Sequence, residues 1–338
     1  AGRAGLAGRA MAPEAMAAGG SGGRYPFPTV PDGWFSIAPS DLVGAGEAVP
    51  VTSLGREFVV MRTETGTAQV FDAHCPHLGA HLGVGGIVCG ETLTCPFHGW
   101  VFDAEGRLIE VPRLDRRPPR ATLPTWHTRE LNDRIFVWHH ASGIDPTYEI
   151  TPYRTDGAWT PWNINSYRVR VGVQDLTENI IDSSHFWMVH DMEPPSDDRQ
   201  IVSFDGPSMV VDQHLKVTAV DAAGFEVHSV TTTNGPGIVA VEVREAGLDM
   251  LTYITQTPID GEITEITIHF SMRELDDPEA TAAIAALNDQ VTNTQFAQDI
   301  AIWENKVYRQ RPILTAVDGP VHEYRRWFRQ FYSSLGDT

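Results

Sequence analysis

Cys75-Pro-His77-Leu-Gly and Cys95-Pro-Phe-His98-Gly-Trp are the segments that decide the fold, because each offers one thiol and one imidazole. The spacings are C-x-H in the first segment and C-x-x-H in the second, and the glycines and prolines let both segments bend tightly. Thiolates suit a ferric ion and its bridging sulfides, and two neutral imidazoles on the other iron raise the reduction potential. We therefore expect a [2Fe–2S] cluster held by Cys75, His77, Cys95 and His98.

A structural zinc site is the alternative, because two cysteines and two histidines can also bind zinc tetrahedrally. Zinc fingers pair Cys with Cys and His with His along the chain, whereas each segment here carries one of each. His74 and His81 flank the motif but break its spacing, which favours loop or surface positions for them. Cys89 has no partner left, and we expect it to be a buried, inert thiol.

Outward from these segments, the first part of the chain reads as short strands separated by Gly and Pro, which predicts a small all-β domain. The predicted strands are residues 58–61, 68–71, 107–111 and 134–138. A Pro-rich polar stretch at residues 145–161 has the composition of a linker. Residues 1–24 consist mainly of Gly and Ala, and we expect a disordered tail there.

The second part alternates apolar and polar residues over consecutive segments, which predicts an antiparallel sheet with one buried face. The predicted strands are residues 162–171, 215–220, 225–233, 238–244, 251–256 and 262–271, with a helical segment at 173–189. A helix is predicted from Pro278 to about residue 306. We expect this helix to pack across the sheet through one apolar side, formed by Ile284, Leu287, Val291, Phe296 and Trp303.

A second motif lies in the helical segment, where Glu178-Asn-Ile-Ile-Asp182-Ser-Ser-His185-Phe-Trp-Met-Val-His190 fits E-x3-D-x2-H-x4-H. Two imidazoles and one carboxylate on one face of an iron leave open positions for O₂ and substrate. In a regular helix Asp182 and His185 share a face, but His185 and His190 point about 140° apart. We therefore expect the helix to distort or end between them. An amphipathic helix with two incidental histidines is the alternative.

The third metal ligand should be a distant carboxylate, and Asp299 is the candidate. It shares a helix side with Phe296 and Trp303, where an unpaired carboxylate would be costly to bury and a metal would remove that cost. Glu304 lies one position off that face and is the next candidate.

Both motifs resemble those of the Rieske non-haem iron oxygenases, and the resemblance covers about residues 30–335. It implies an α+β protein with a small all-β Rieske domain at 25–145 and a helix-grip (START-like) antiparallel-sheet catalytic domain at 146–338. It also implies a mononuclear Fe(II) on His185, His190 and Asp299. Rieske proteins of cytochrome complexes carry an extra cysteine in each loop, where Ala80 and Phe97 stand here, which indicates the lower-potential oxygenase type.

In this family the aspartate that matches Asp182 bridges a cluster histidine and an iron histidine, usually across a subunit boundary in a head-to-tail trimer. The resemblance therefore implies a homotrimer in which Asp182 joins His98 of one subunit to His185 of the next. A carboxylate that accepts from both imidazoles would orient both ligands. Glu178 also matches the family pattern, and its role could be structural.

The ending of the chain resembles one branch of the family, the 3-ketosteroid 9α-hydroxylases and cholesterol 7-desaturases. The resemblance rests on Asp299-Ile-Ala-Ile-Trp-Glu-Asn-Lys, Arg311-Pro-Ile-Leu and Asp318-Gly-Pro-Val-His-Glu-Tyr. It implies hydroxylation of a hydrophobic, steroid-like substrate with O₂ and NAD(P)H electrons from a separate flavin reductase, sometimes through a ferredoxin. The chain itself has no flavin or dinucleotide fingerprint.

Two other functions stay open at this point: an aromatic or natural-product oxygenase or desaturase of the same class, and a non-catalytic Rieske electron carrier. A hydrophobic substrate needs an apolar pocket. The candidate pocket residues are Val169, Val171, Ile180, Phe186, Trp187, Ile238, Val239, Tyr253 and Phe296, which could equally be plain core.

The net charge of −19 argues against nucleic acid and anionic lipid surfaces as partners. No apolar run approaches the ~18 residues that a membrane span needs. Three cysteines cannot form a disulfide framework of the secreted kind. A cytoplasmic location is therefore expected.

Overall fold

The computed structural model describes residues 24–114, 118, 121–182, 184–191, 200–217, 225–245, 247–315 and 317–335. Apart from Arg24, the expected tail at residues 1–24 lies outside the described residues.

The first part of the chain folds into three small antiparallel sheets, as its short strands and frequent turns predict. One sheet has the strand order β1-β11-β10, the second β2-β3-β4-β9 and the third β5-β6-β7-β8. The strands are β1 (Gly33–Pro39), β2 (Glu47–Ser53), β3 (Arg56–Arg62), β4 (Ala68–Asp72), β5 (Ile87–Cys89), β6 (Thr92–Thr94), β7 (Val101–Phe102), β8 (Leu108–Glu110), β9 (Thr125–Trp126), β10 (Thr128–Leu131) and β11 (Arg134–His139).

The second part is built on one seven-stranded antiparallel sheet with the order β12-β18-β17-β16-β15-β14-β13. Its strands are β12 (Asn163–Val169), β13 (Gln200–Asp205), β14 (Ser208–Val217), β15 (Phe225–Thr233), β16 (Ile238–Glu245), β17 (Leu248–Pro258) and β18 (Thr264–Met272). The alternating pattern located these strands except β13, which the sequence analysis missed. β14 begins earlier than predicted, and residues 218–220 of that prediction lie outside the described residues.

Four helices cover this part of the described chain: α1 (Val173–Glu178), α2 (Ser184–His190), α3 (Pro278–Trp303) and α4 (Val321–Phe328). α3 packs on β12 and β18 and touches α2. The prediction of a single apolar side on α3 was wrong for Leu287, which is 45% exposed. Nine residues separate Leu287 from Phe296, which is two and a half helical turns, so the two side chains face opposite ways.

The two parts share a core. Trp34, Phe136 and Trp138 from the first part pack against Ile238 and Tyr253 of the large sheet. The Thr257 hydroxyl also donates to the Ser36 carbonyl across this boundary, at 2.7 Å. The large sheet thus has one face on the small sheets and its other face towards the helices. The expected α+β architecture is confirmed, with mostly antiparallel sheets and few helices.

Candidate active site

Cys75, His77, Cys95 and His98 lie in two loops of the same construction. In the first loop, the Cys75 amide donates to the Ala80 carbonyl at 2.9 Å, and the Gly79 amide donates to the Cys75 carbonyl at 3.0 Å. The second loop has the same two bonds. The Cys95 amide donates to the Trp100 carbonyl at 2.8 Å, and the Gly99 amide donates to the Cys95 carbonyl at 3.0 Å. Gly79 and Gly99 have φ of 75° and 69°, a conformation that favours glycine.

The four side chains of these loops differ in exposure. Cys75 and Cys95 are buried, whereas His77 and His98 face solvent with their ring centres 4.6 Å apart. The indole of Trp100 stacks flat on His77 at 4.4 Å and limits its rotation. Burial raises the pKa of the Cys75 thiol to about 11, and the adjacent Cys95 thiol adds to the rise. Such a buried pair becomes a pair of thiolates only beside a cation, which suits an iron–sulfur cluster.

The spread of these donors bears on the zinc alternative. In a tetrahedral zinc site with bonds of 2.0–2.3 Å, any two donor atoms lie within about 3.8 Å of each other. No three of the four donor atoms here lie within 4.8 Å of one another. The arrangement therefore suits two metal ions with two donors each better than it suits one zinc ion.

The other cysteine and histidines near the loops stand apart from this set. His74 and His81 contact each other, and His74 lies 3.7 Å from the Glu57 carboxylate. This agrees with the loop positions expected for them. The expectation that Cys89 is buried was wrong, because it is exposed at the end of β5. β5 has three residues, and only the central Val88 faces the core.

The segment that carries the second motif is broken before His185. α1 ends at Glu178, a 3₁₀ turn spans Asn179–Ile181, and α2 begins at Ser184. Asp182 lies at the break, where one oxygen of its carboxylate accepts from the Ser184 amide at 3.2 Å and from its hydroxyl at 2.7 Å. The expected distortion between His185 and His190 is not there, since both belong to α2 and His190 is its last residue.

His185, His190 and Asp299 come together, with one ligand atom from each lying within 4.8 Å of the other two. The His190 Nε2 atom is 3.3 Å from an Asp299 oxygen, and the side chains are 4% and 10% exposed. The two imidazole rings are 5.1 Å apart. Asp299 is buried on the same side of α3 as Phe296 and Trp303, as the helical spacing predicts. Glu304, the next candidate, is exposed beyond the end of α3.

The hydrogen bonds of His190 indicate that a cation fits here. Its Nδ1–H donates to the Oε1 atom of the Gln298 side chain at 3.0 Å, so a neutral ring presents the Nε2 lone pair to the Asp299 carboxylate. Lone pair and carboxylate at that distance repel each other unless a proton or a metal ion lies between them. Burial lowers the pKa of His190, but the hydrogen bonds to Asp299 and Gln298 outweigh it, so its pKa is raised.

His185 is largely buried, with 10% of its side chain exposed. Burial lowers its pKa, and the opposing charges of Asp299 and Asp182 do not reverse this. Its Nδ1 contacts the Asp182 carbonyl, and its Nε2 lies 3.2 Å from the Asn179 amide nitrogen. Asn179 and Gln298 were not among the sequence candidates. Gln298 is adjacent to Asp299 in sequence, but Asn179 is brought to His185 only by the 3₁₀ turn, which no spacing signalled.

A cavity of about 240 Å³ lies between these helices and the large sheet, and the triad forms part of its wall. Four of the predicted lining residues line it: Ile180, Phe186, Val239 and Phe296. The other five do not line it. Val169 and Val171 are buried core beside Trp303, Ile238 and Tyr253 point to the opposite face of the sheet, and Trp187 is 63% exposed. Leu176, Val241, Ile254 and Ile266 complete the apolar wall.

Comparison with family models matches residues 137–332 to the 3-ketosteroid 9alpha-hydroxylase C-terminal domain and residues 33–127 to the Rieske [2Fe-2S] domain. A cholesterol 7-desaturase of Caenorhabditis elegans is 31% identical over 90% of this chain and 78% of its own. A probable 3-ketosteroid-9-alpha-monooxygenase, oxygenase component, of Rhodococcus rhodochrous is 30% identical over 90% of this chain and 80% of its own.

Solved structures agree on the fold. Pseudomonas putida CBB5 NdmA with caffeine superposes with a TM-score of 0.71 at 19% identity, covering 89% of this chain and 91% of that one. Dicamba monooxygenase bound to dicamba superposes with a TM-score of 0.69 at 18% identity, covering 90% and 98%. Within the described residues, none of the helices combines the length and the apolarity needed to cross a bilayer.

Proposed function

This chain belongs to the Rieske oxygenases that carry a 3-ketosteroid 9alpha-hydroxylase C-terminal domain, and from that membership we propose that it hydroxylates one C–H bond of a hydrophobic, steroid-like substrate. One oxygen atom of O₂ enters the C–H bond and the other leaves as water, with the uptake of two electrons and two protons. The rival function, a carrier that only passes electrons, gives no role to His185, His190 and Asp299.

The proposed substrate class rests on the cavity beside the triad. Its wall is mainly apolar, with Leu176, Ile180, Val239 and Ile254 among its members. Apolar walls desolvate a hydrocarbon skeleton favourably, at about 25 cal/mol per Å² of buried surface. The relatives named for cholesterol and for a 3-ketosteroid support a polycyclic substrate.

We propose that Cys75, His77, Cys95 and His98 hold the [2Fe–2S] cluster of the Rieske domain, and that His185, His190 and Asp299 hold a mononuclear Fe(II). Bound there, the cluster supplies electrons one at a time and the iron activates O₂ next to the substrate. Gln298 fixes the tautomer of His190 so that Nε2 faces the metal position. Two imidazoles and one carboxylate leave the remaining positions of an iron open.

Electrons should come from NAD(P)H through a separate flavin reductase, with or without a ferredoxin. The Rhodococcus rhodochrous relative is named as an oxygenase component, which supports a multicomponent system. His77 and His98 reach the surface between two exposed apolar side chains, Leu78 at 66% and Phe97 at 62%. This surface leaves the cluster ligands within reach of another protein chain.

We further propose a head-to-tail homotrimer in which Asp182 lies between His185 of its own chain and the partner subunit's His98. Asp182 is 38% exposed, and its second oxygen lies 4.0 Å from His185 Nδ1. Within the described chain no hydrogen bond joins Asp182 to its own His98. We also propose domain limits of 25–145 and 146–338, because strands stop at His139 and resume at Asn163.

The test is a turnover screen of steroids, sterols and simple aromatics with a surrogate reductase, NADH and O₂, read by mass spectrometry. We expect a product heavier than a steroid substrate by one oxygen atom, labelled from ¹⁸O₂. Oxidation of aromatics with no steroid turned over would contradict the substrate class, and loss of two hydrogens without oxygen gain would contradict hydroxylation.

A further inference from the structure

The loop before α4 touches the backbone of the turn that leads to His185. Gly319 lies in this loop, and a Cβ atom built on it would fall 1.7 Å from the Ile181 carbonyl oxygen, 2.8 Å from its carbon and 3.7 Å from the Asp182 nitrogen. These three atoms form one peptide group, the one that leaves the 3₁₀ turn. The φ of Gly319 is outside the left-handed region, so glycine is needed here for space and not for its backbone conformation.

The next carbonyl along the chain is the one that orients His185. The Nδ1 atom of His185 bonds to the Asp182 carbonyl oxygen, which can only accept, so Nδ1 carries the proton. In the neutral ring Nε2 then carries the lone pair that a metal ion needs. Only the two backbone dihedrals of Asp182 separate this carbonyl from the peptide group that touches Gly319. A shift of that peptide group therefore turns the acceptor of His185.

The loop that carries Gly319 is held on both sides. Before it, the Asp318 carboxylate accepts from the Thr315 amide at 2.5 Å and from the Thr315 hydroxyl at 2.9 Å. After it, the buried Tyr324 of α4 donates its hydroxyl to the Gln174 carbonyl of α1 at 2.7 Å. These bonds oppose any movement of the loop away from the turn.

The 3₁₀ turn is held less tightly than the loop. Its closing bond, from the Asp182 amide to the Asn179 carbonyl, is 3.3 Å long, which is beyond the usual range of about 2.7–3.2 Å. Asn179 also places its amide nitrogen 3.2 Å from His185 Nε2. A side chain at position 319 should therefore displace the turn, and with it both contacts of the His185 ring.

We infer that Gly319 is a positioning residue for the mononuclear iron: because it has no side chain, the loop before α4 can pack on the 3₁₀ turn and set the orientation of the His185 imidazole. The inference rests on the proposed iron site and deepens it. It adds a residue that lies outside both the triad and the wall of the cavity.

The test measures iron binding and not turnover. The full chain is freed of mononuclear iron by a chelator under anaerobic conditions, with the oxidised cluster retained, and Fe²⁺ is titrated back. Bound Fe²⁺ is read from the EPR signal of its nitric oxide adduct, and cluster content from the visible absorption. The variant is Gly319→Ala. Gly237→Ala is the matched control, because a Cβ there would lie 2.3 Å from the Trp34 carbonyl oxygen, at the boundary of the two parts.

Gly319→Ala should bind Fe²⁺ about 10–100-fold more weakly than the wild type, with an altered EPR signal and unchanged cluster content. Gly237→Ala should unfold at a lower urea concentration and yet bind Fe²⁺ as the wild type does, because its strained contact lies elsewhere. Wild-type iron affinity in Gly319→Ala, or an equal loss in both variants, would overturn the inference and leave the proposed iron site standing.

Asp318→Ala decides the case in which Gly319→Ala does not fold. It removes both bonds to Thr315 and adds no atom, so it loosens the loop without a clash. We expect its Fe²⁺ affinity to fall about threefold to tenfold, and wild-type affinity in this variant would overturn the inference. A wild-type chain that binds no Fe²⁺ beyond its cluster would overturn the proposed iron site, and the inference with it.

Discussion

Arg325 and Glu178 form a two-pronged ion pair that holds α1 against α4. The guanidinium Nε and Nη2 lie 2.5 and 2.7 Å from the two carboxylate oxygens, and the side chains are only 15% and 12% exposed. Arg325 also lies over the ring of Tyr308, at 4.4 Å. Since α1 leads directly into the turn that presents Asn179 and Asp182, this pair anchors the segment on which the triad depends. It gives Glu178 of the E-x3-D-x2-H-x4-H motif a structural role.

Replacing Glu178 by Ala should lower the free energy of unfolding by about 3 kcal/mol, because it leaves a largely buried arginine without its counter-charge. The measurement is urea unfolding of the full chain, followed by tryptophan fluorescence. Removing both charges, in Glu178→Leu with Arg325→Leu, should cost clearly less than the single change. A loss below about 1 kcal/mol in Glu178→Ala would show that the pair behaves as an exposed one.

Metal content tests the two sites together. We expect three irons and two acid-labile sulfides per chain, with a spectrum typical of mixed Cys/His ligation in the reduced state. Cys89→Ser should change neither number, because Cys89 is exposed at the end of β5. Bound zinc, or a spectrum of all-cysteine ligation, would be incompatible with a cluster on Cys75, His77, Cys95 and His98.

The candidate metal ligands could be named from the sequence, because binding a metal ion requires ligand residues at short, characteristic spacings along the chain. Two thiols and two imidazoles in paired loops, or a carboxylate at helical distance from Phe296 and Trp303, leave few alternative arrangements. Strand alternation predicted the antiparallel sheet, because a buried sheet face imposes it over many residues, and the family resemblance implied the α+β architecture.

What the sequence analysis missed depends on contacts between distant segments. Ile238 and Val239 are equally apolar neighbours, yet only Val239 reaches the cavity, because successive strand residues face opposite sides. The break before Ser184 is different, because it is accompanied by a local hydrogen bond that the Ser184 amide donates to the Asp182 carboxylate.

Replacing His185 or Asp299 by Ala should abolish turnover and leave the visible spectrum of the cluster unchanged, because the two sites share no ligand. Steady-state product formation and the absorption spectrum are the measurements. Glu304→Ala is the matched control, since this carboxylate is exposed beyond α3, and it should keep full activity. Full activity in Asp299→Ala, together with loss of activity in Glu304→Ala, would show that Glu304 and not Asp299 is the third metal ligand.

The prediction for Asp182 separates its local role from a bridging role. One carboxylate oxygen accepts from the Ser184 amide and hydroxyl, and the side chain is 38% exposed. An Asn at this position keeps one acceptor oxygen for Ser184, so the start of α2 should survive the change. It cannot accept from two imidazoles, because its NH₂ group would face an N–H donor.

Asp182→Asn should therefore fold, load both metals and assemble as the wild type does, yet transfer electrons from the cluster to the mononuclear iron at least about 10–100-fold more slowly. The assay is a single turnover of pre-reduced protein with substrate and O₂, in which cluster reoxidation is followed against product. Ser184→Ala is the control, because it removes the hydroxyl bond to Asp182 while leaving the carboxylate in place. It should keep the wild-type rate if the carboxylate itself is what matters. Wild-type rates of cluster oxidation and product formation in Asp182→Asn would mean that this aspartate only caps α2, and that electrons reach the iron without it.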